Sequence, residues 1–267
     1  MKRKKRIGTA AKTVGCAVLL MISLFPIYWL LAMAILPTDE MRGHIALIPQ
    51  SLTGMHFAQL FTSENFGQAI MNSLQTTFGS LIISLLAGIC AAYVIARRRF
   101  RFGLKKPMTY WVLLVRVLPP VAFTIPLYIM FNRLGVLNTK LPVMLACVLI
   151  NVPLIIWFLI SFFQDLPEEI EESAKVDGAT EWQLFCKIVL PLVAPGIAAV
   201  SMLSFMYAWN EYTYTVIFTR IPANNTVPLA LALLNTEDNL TNFGLVAAGG
   251  VISVIPITLF VIFAQNY

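Results

Sequence analysis

Residues 141–163, LPVMLACVLINVPLIIWFLISFF, contain no charged side chain, and residues 164–181, QDLPEEIEESAKVDGATE, contain seven of the 13 acids in the sequence. The first stretch exceeds the roughly 20 apolar residues that a helix needs to cross a bilayer. The second could not follow it into hydrocarbon, because each buried, unpaired charge costs several kcal/mol. So abrupt a change marks the point where a membrane helix leaves the bilayer.

The same apolar signature recurs along the chain. Of 267 residues, 58% are hydrophobic and 12% charged, with mean hydropathy +0.78. An average soluble domain carries about 25% charged residues, so the composition argues against a soluble fold and for a membrane-embedded one. Five more stretches read as spans, 14–36, 70–96, 107–131, 196–218 and 245–264, making six in all. None shows the ten-residue alternation of an outer-membrane barrel strand. The first stretch follows a basic N-terminus and holds Ala32-Met33-Ala34, which resembles a leader cleavage pattern. Its length exceeds the roughly 7–15 residues of a leader core, so an uncleaved helix is expected. The expected fold is all-α, with 1–267 as one transmembrane domain and 164–195 as a loop within it.

The basic residues set an orientation. Placing the N-terminus inside puts Lys2, Arg3, Lys4, Lys5, Arg6, Lys12, Arg97, Arg98, Arg99, Arg101, Lys105, Lys106, Lys175 and Lys187 in the cytoplasm, 14 of 19 bases. Arg42, Arg133, Lys140 and Arg220 remain outside. This bias predicts both termini inside. Bases divided between two membrane edges do not form a nucleic-acid-binding face.

The acidic segment reads as a delimited helix. Gln164 or Asp165 can cap it, Pro167 suits its first position, and the acids favour the positive end of its dipole. Glu171 and Lys175 have the spacing of an ion pair, and Gly178 can take the left-handed stop conformation. Thr180 can cap a second helix, in which Trp182, Phe185, Cys186 and Val189 form one apolar face. Leu166, Ile170 and Ala174 form a thin apolar ridge on the first. A rigid helix–turn–helix elbow is expected.

Within it lie Glu172-Ser173-Ala174, three residues, Gly178, nine residues, then Ile188-Val189-Leu190-Pro191. This resembles the cytoplasmic signature of ABC importer permeases, Glu-Ala-Ala with Gly and Ile-x-Leu-Pro at the same spacings; Ser173 is the one departure. Ile125-Pro126-Leu127-Tyr128, residues 174–179, Pro195-Gly196 and Ala208-Trp209-Asn210-Glu211-Tyr212 are similar to the carbohydrate branch, in particular the maltose-type second permease. The resemblance implies a type I ABC importer permease fold in a bacterial or archaeal plasma membrane. It makes the elbow a coupling loop, with Glu171, Glu172, Ser173, Ala174, Asp177, Gly178, Ile188, Leu190 and Pro191 as ATPase-coupling residues. It also implies a second permease, two ATPase subunits, an extracytoplasmic substrate-binding protein and a sugar substrate.

The sequence lacks a Gly-x-x-x-x-Gly-Lys-Ser/Thr phosphate loop, so ATP and Mg are expected on the partner ATPases, with no cofactor on this chain. It also lacks paired intramembrane Asp residues and a His-Glu-x-x-His helix, which weighs against an intramembrane enzyme. A polyol or sugar derivative as substrate, or a self-sufficient secondary carrier, are the alternatives. No repeat between the halves is visible to favour the carrier.

Arg116 falls roughly 14 Å into the third span and is a candidate for the substrate pathway. The alternative is a structural partner, Glu211 or a carbonyl near Pro119-Pro120. Trp209, Asn210 and Glu211 offer an indole for stacking on a sugar beside hydrogen-bonding groups; the alternative is an interface anchor, with Glu211 in outside water. Asn72 and Gln75 are weaker candidates. Residues 37–69 and 219–244 are outside loops, which the resemblance assigns to docking of the binding protein. His44 and His56 read as surface histidines, and Cys16, Cys90, Cys147 and Cys186 as packing residues. Gly79, Gly88, Ala91, Ala92, Gly249 and Gly250 permit close helix packing, including against a partner permease. Pro119-Pro120, Pro126 and Pro256 are expected to bend or break spans.

Overall fold

The computed structural model describes residues 2–41, 49, 51–97, 105–234 and 243–265, without side chains for 2–11, 105, 106, 113 and 116. All regular elements among them are helical. They are α1 (Lys2–Ile35), α2 (Met55–Thr62), α3 (Phe66–Ala96), α4 (Lys105–Val117), α5 (Thr124–Arg133), α6 (Leu141–Gln164), α7 (Glu168–Val176), α8 (Ala194–Trp209), α9 (Thr213–Phe218), α10 (Val227–Leu233) and α11 (Phe243–Ala264), with shorter turns between. The chain divides into two compact units, Met1–Gly67 with Leu231–Val254, and Gln68–Ala230 with Ile255–Tyr267.

Among the described residues, four helices are long and apolar enough to cross a membrane: Lys12–Ile35, Phe66–Ala96, Leu141–Gln164 and Phe243–Ala264. Ala194–Trp209 makes a fifth when taken with Glu181–Leu192, from which it is bent by 72°. The expected third span, 107–131, is not one helix. Proline disfavours helical backbone in the residue before it and has no N–H to donate. Accordingly α4 ends before Pro119, which is extended (ψ 136), and a 3-10 turn over Pro120–Phe123 leads into α5. The expected fifth span, 196–218, is interrupted too: α8 stops at Trp209 and α9 begins at Thr213.

In the second unit the core lies where α3, α6 and α8 meet, with Ala92, Ile95, Ile155, Leu159, Phe163 and Val200 buried together. Close approach depends on small residues: a Cβ on Gly88 would stand 2.6 Å from Ile155 Cγ2. A second cluster, Phe131, Val143, Ala146, Tyr214 and Phe218, joins α5, α6 and α9. Small residues expected to permit close helix packing do so within the chain, Gly79 against Met144 in this unit and Gly249 against Leu231 in the other.

In the first unit His56 is a correction. It is fully buried, its Nε2 2.9 Å from the Leu36 carbonyl, with Gly244 pressed against the ring. His44 lies outside the described residues. Cys147 is buried and Cys186 half-buried, whereas Cys16 and Cys90 lie on outward faces of α1 and α3. The packing reading therefore holds within the chain for the first two alone. The outward faces are otherwise rich in large apolar side chains, such as Leu19, Ile22 and Phe25 on α1, which suits hydrocarbon as the surrounding solvent.

Candidate functional site

The elbow forms between α6 and α8. Pro167, extended at ψ 136, occupies the cap position of α7 and makes no side-chain cap, so neither Gln164 nor Asp165 is the cap and Pro167 is not the first helical residue. The end of α7 follows the Schellman pattern. Ala179 N donates to Ala174 O and Gly178 N to Lys175 O, both at 3.0 Å, while Gly178 takes φ +82. Thr180 then forms a capping box with Gln183: Gln183 N donates to Thr180 Oγ1 (3.3 Å) and Thr180 N to Gln183 Oε1 (2.9 Å). These local bonds satisfy backbone groups that the turn would otherwise leave open.

Glu171 does not pair with Lys175. Its Oε1 lies 2.7 Å from Arg97 Nε, with both side chains about 10% exposed or less, and it accepts from the Tyr93 hydroxyl at 3.4 Å. Lys175 instead meets Glu181 at 3.3 Å across the turn, exposed to solvent. The nine coupling candidates therefore separate by position. Glu171 and Ala174 are buried, Ile188 and Leu190 half-buried, and Glu172, Ser173, Asp177, Gly178 and Pro191 exposed. Val176 (88% exposed) and Trp182 (72%) are exposed as well.

Beyond the capping box the helix widens into a π turn over Leu184–Val189, burying Leu184, Phe185 and Val189. An apolar face of Trp182, Phe185, Cys186 and Val189 assumes ordinary α spacing. The wider turn brings residues five apart onto one side, so Leu184 replaces Trp182. After Pro191 the backbone bends at Val193 into α8.

At the other end of α8, Trp209 is 2% exposed and stacks on Phe205, with centroids 5.9 Å apart. Asn210 ends the helix, exposed, its side chain donating to Met206 O at 2.8 Å. Glu211 is buried and caps α9. It accepts from Tyr214 N (2.6 Å), Thr215 N (3.1 Å) and Thr215 Oγ1 (3.1 Å), placing its charge at a helix N-terminus. The Tyr214 hydroxyl in turn donates to Pro120 O at 2.9 Å, which ties the two interrupted helical segments together. Trp209 is thus a core residue and no interface anchor, and Glu211 does not face outside water. Arg116 lies on α4 with its side chain outside the described residues.

Asn72 is structural as well. It donates to the carbonyls of Ala223 (2.8 Å) and Asn225 (2.9 Å), while Ser73 Oγ accepts from Val227 N (2.8 Å). Gln75 accepts from Lys140. A cleft of about 370 Å³ opens beside the break between α4 and α5, lined by Pro120, Ile150, Leu154, Leu203 and Tyr207 among others. It lies within the size range of small-molecule sites, and Tyr207 supplies its one aromatic ring. Tyr207 escaped the sequence reading because a tyrosine in an apolar helix carries no distinguishing spacing.

Several long apolar helices together with a polar elbow define a multi-pass membrane protein. Residues 84–267 match the binding-protein-dependent transport system inner membrane component family, and the chain belongs to it. It is 30% identical to the trehalose transport system permease protein SugB of Mycobacterium tuberculosis, over 91% of this chain and 88% of that one. It is 31% identical to the diacetylchitobiose uptake system permease protein DasC of Streptomyces coelicolor, over 99% and 95% respectively. The fold matches a chain of a bacterial ABC transporter that imports the acidic polysaccharide alginate, with TM-score 0.82, 20% identity and coverage of 99% and 98%. The resemblance to ABC importer permeases is thereby borne out: the chain is an ABC transporter permease subunit, a transport component and not an enzyme.

Proposed function

We propose that this chain forms half of the translocation pathway of an ATP-driven saccharide importer. A second permease supplies the other half, and two ATPase subunits bind ATP and Mg on the cytoplasmic side. In this reading the whole chain acts as one permease domain with six spans and both termini inside. The interrupted 107–131 segment counts as the third span and 196–218 as the fifth. The elbow at 164–195 then lies in the cytoplasm and docks to an ATPase through Glu172, Ser173, Val176, Asp177 and Trp182. The loop fastened by Asn72 and Ser73 faces an extracytoplasmic binding protein. The membrane is a bacterial or archaeal plasma membrane.

The observation that carries this reading is the elbow: its Schellman turn and capping box fix a shape that a passive connector does not need. The names of the relatives, trehalose and diacetylchitobiose permeases among them, support a saccharide over other solutes. For the pathway, Asn210 and the cleft beside Tyr207 are the groups best placed to meet a sugar, and Arg116 stays a candidate by its position on α4. The test is purification followed by vesicle assays. The chain should co-purify with ATPase subunits, and uptake should require them, ATP and the loaded binding protein. Saccharide uptake by the isolated chain along an ion gradient would overturn the reading.

A further inference from the structure

The elbow is continuous in sequence with α6 and α8 alone, yet the end of α3 grips each of its parts. Arg97 Nε lies 2.7 Å from Glu171 Oε1 of α7, an ion pair without hydrogen-bond alignment, and Arg97 Nη1 donates to the Leu166 carbonyl, just before α7, at 3.4 Å. The Tyr93 ring packs between Phe163 in the last turn of α6 (5.5 Å) and Phe185 in the π turn (4.9 Å), and its hydroxyl reaches Glu171. Ala92, Ile95 and Ala96 share one apolar cluster with Phe163, Ala174, Leu184 and Val189.

We infer that Arg97 and Tyr93 clamp the elbow to α3, so that α3 moves with the elbow as one rigid body when the ATPases close. Arg97 and Glu171 are a positioning pair for this coupling, acting inside the chain while Glu172, Ser173 and Asp177 face outward. An apolar contact resists separation but tolerates sliding. A buried ion pair opposes sliding, because displacement would separate two opposite charges in a low-dielectric setting. A part that transmits displacement through a packed interface needs that property. The inference rests on the proposed docking of the elbow to an ATPase.

The test uses the complete complex, with spin labels introduced as unnatural amino acids at Val94 on an exposed face of α3 and at Glu169, which is exposed on α7 and outside the proposed docking residues. The Val94–Glu169 distance should stay within about 2 Å between the nucleotide-free and vanadate-trapped states, the scale of small interface shifts. A larger change in the wild-type complex would overturn the clamp. Glu171→Gln should add a second, longer population, and the swap Arg97→Glu with Glu171→Arg should restore one narrow population. A swap no better than Glu171→Gln alone would contradict the ion pair's role. A third label on the ATPase separates the two readings: no proximity to the Glu169 label would refute docking itself, whatever the clamp does.

Discussion

The two ends of α8 are both sites where a membrane helix changes direction, and they are built from different forces. At its start the elbow uses backbone turns of local origin and one buried ion pair, and it displays charged and apolar side chains outward. At its end Glu211, Tyr214 and Thr215 turn their polar groups inward. Nearby, Asn72 and Ser73 fasten the 219–227 segment through uncharged donors and acceptors. One end is shaped to be presented, the other to be held.

That contrast can be broken first at Gly178, where an added Cβ would meet no heavy atom within 4 Å and φ is +82. The obstacle to a side chain is therefore conformational and not steric crowding by neighbours. An L residue there costs about 1–2 kcal/mol, and a β-branched one more. Gly178→Val should leave insertion intact and abolish uptake by the assembled transporter. Gly178→Asn should retain most of it, since Asn tolerates the left-handed region. Equal uptake by wild type and both variants would show that the turn's geometry is irrelevant.

Next in size is the held end. Glu211→Ala removes a buried acceptor of three hydrogen bonds and should lower stability by about 3 kcal/mol, read as a drop in the thermal midpoint in detergent. Asn72→Ala strands two carbonyls and should cost about 2 kcal/mol by the same measurement. If both were silent, the 219–227 segment and α9 would not be held as described. The smallest effect belongs to Lys175→Ala. Its partner Glu181 is 63% exposed, so the loss should stay below about 0.5 kcal/mol.

The same contrast explains what could be read from the chain. Gly178 and Thr180 act within a few residues of themselves, and the turn of the elbow was legible for that reason, whereas Pro167 stands at the cap and not inside the helix. The partner of Glu171 was not: Arg97 lies 74 positions earlier and looks, in sequence, like one more topology base. The π turn also defeated the face drawn through Trp182, because that face presumes a constant helical period. The break after Trp209 had a local signal, Glu211 placed three and four residues before Tyr214 and Thr215, as a capping carboxylate would be. Its polarity invited a pathway role instead. His56 shows the general difficulty, since a histidine in a loop gives no sign of burial until Leu36 and Gly244 close on it.

If the outer face of the elbow docks to an ATPase while its inner face stays within the chain, the two faces must have different neighbours in the complete complex. Photo-crosslinking residues placed at Val176 and, separately, at Ala174 read those neighbours out. Val176 should crosslink to an ATPase subunit, and Ala174 should give crosslinks within the chain. Crosslinks to the ATPase from Ala174 and none from Val176 would contradict the assignment.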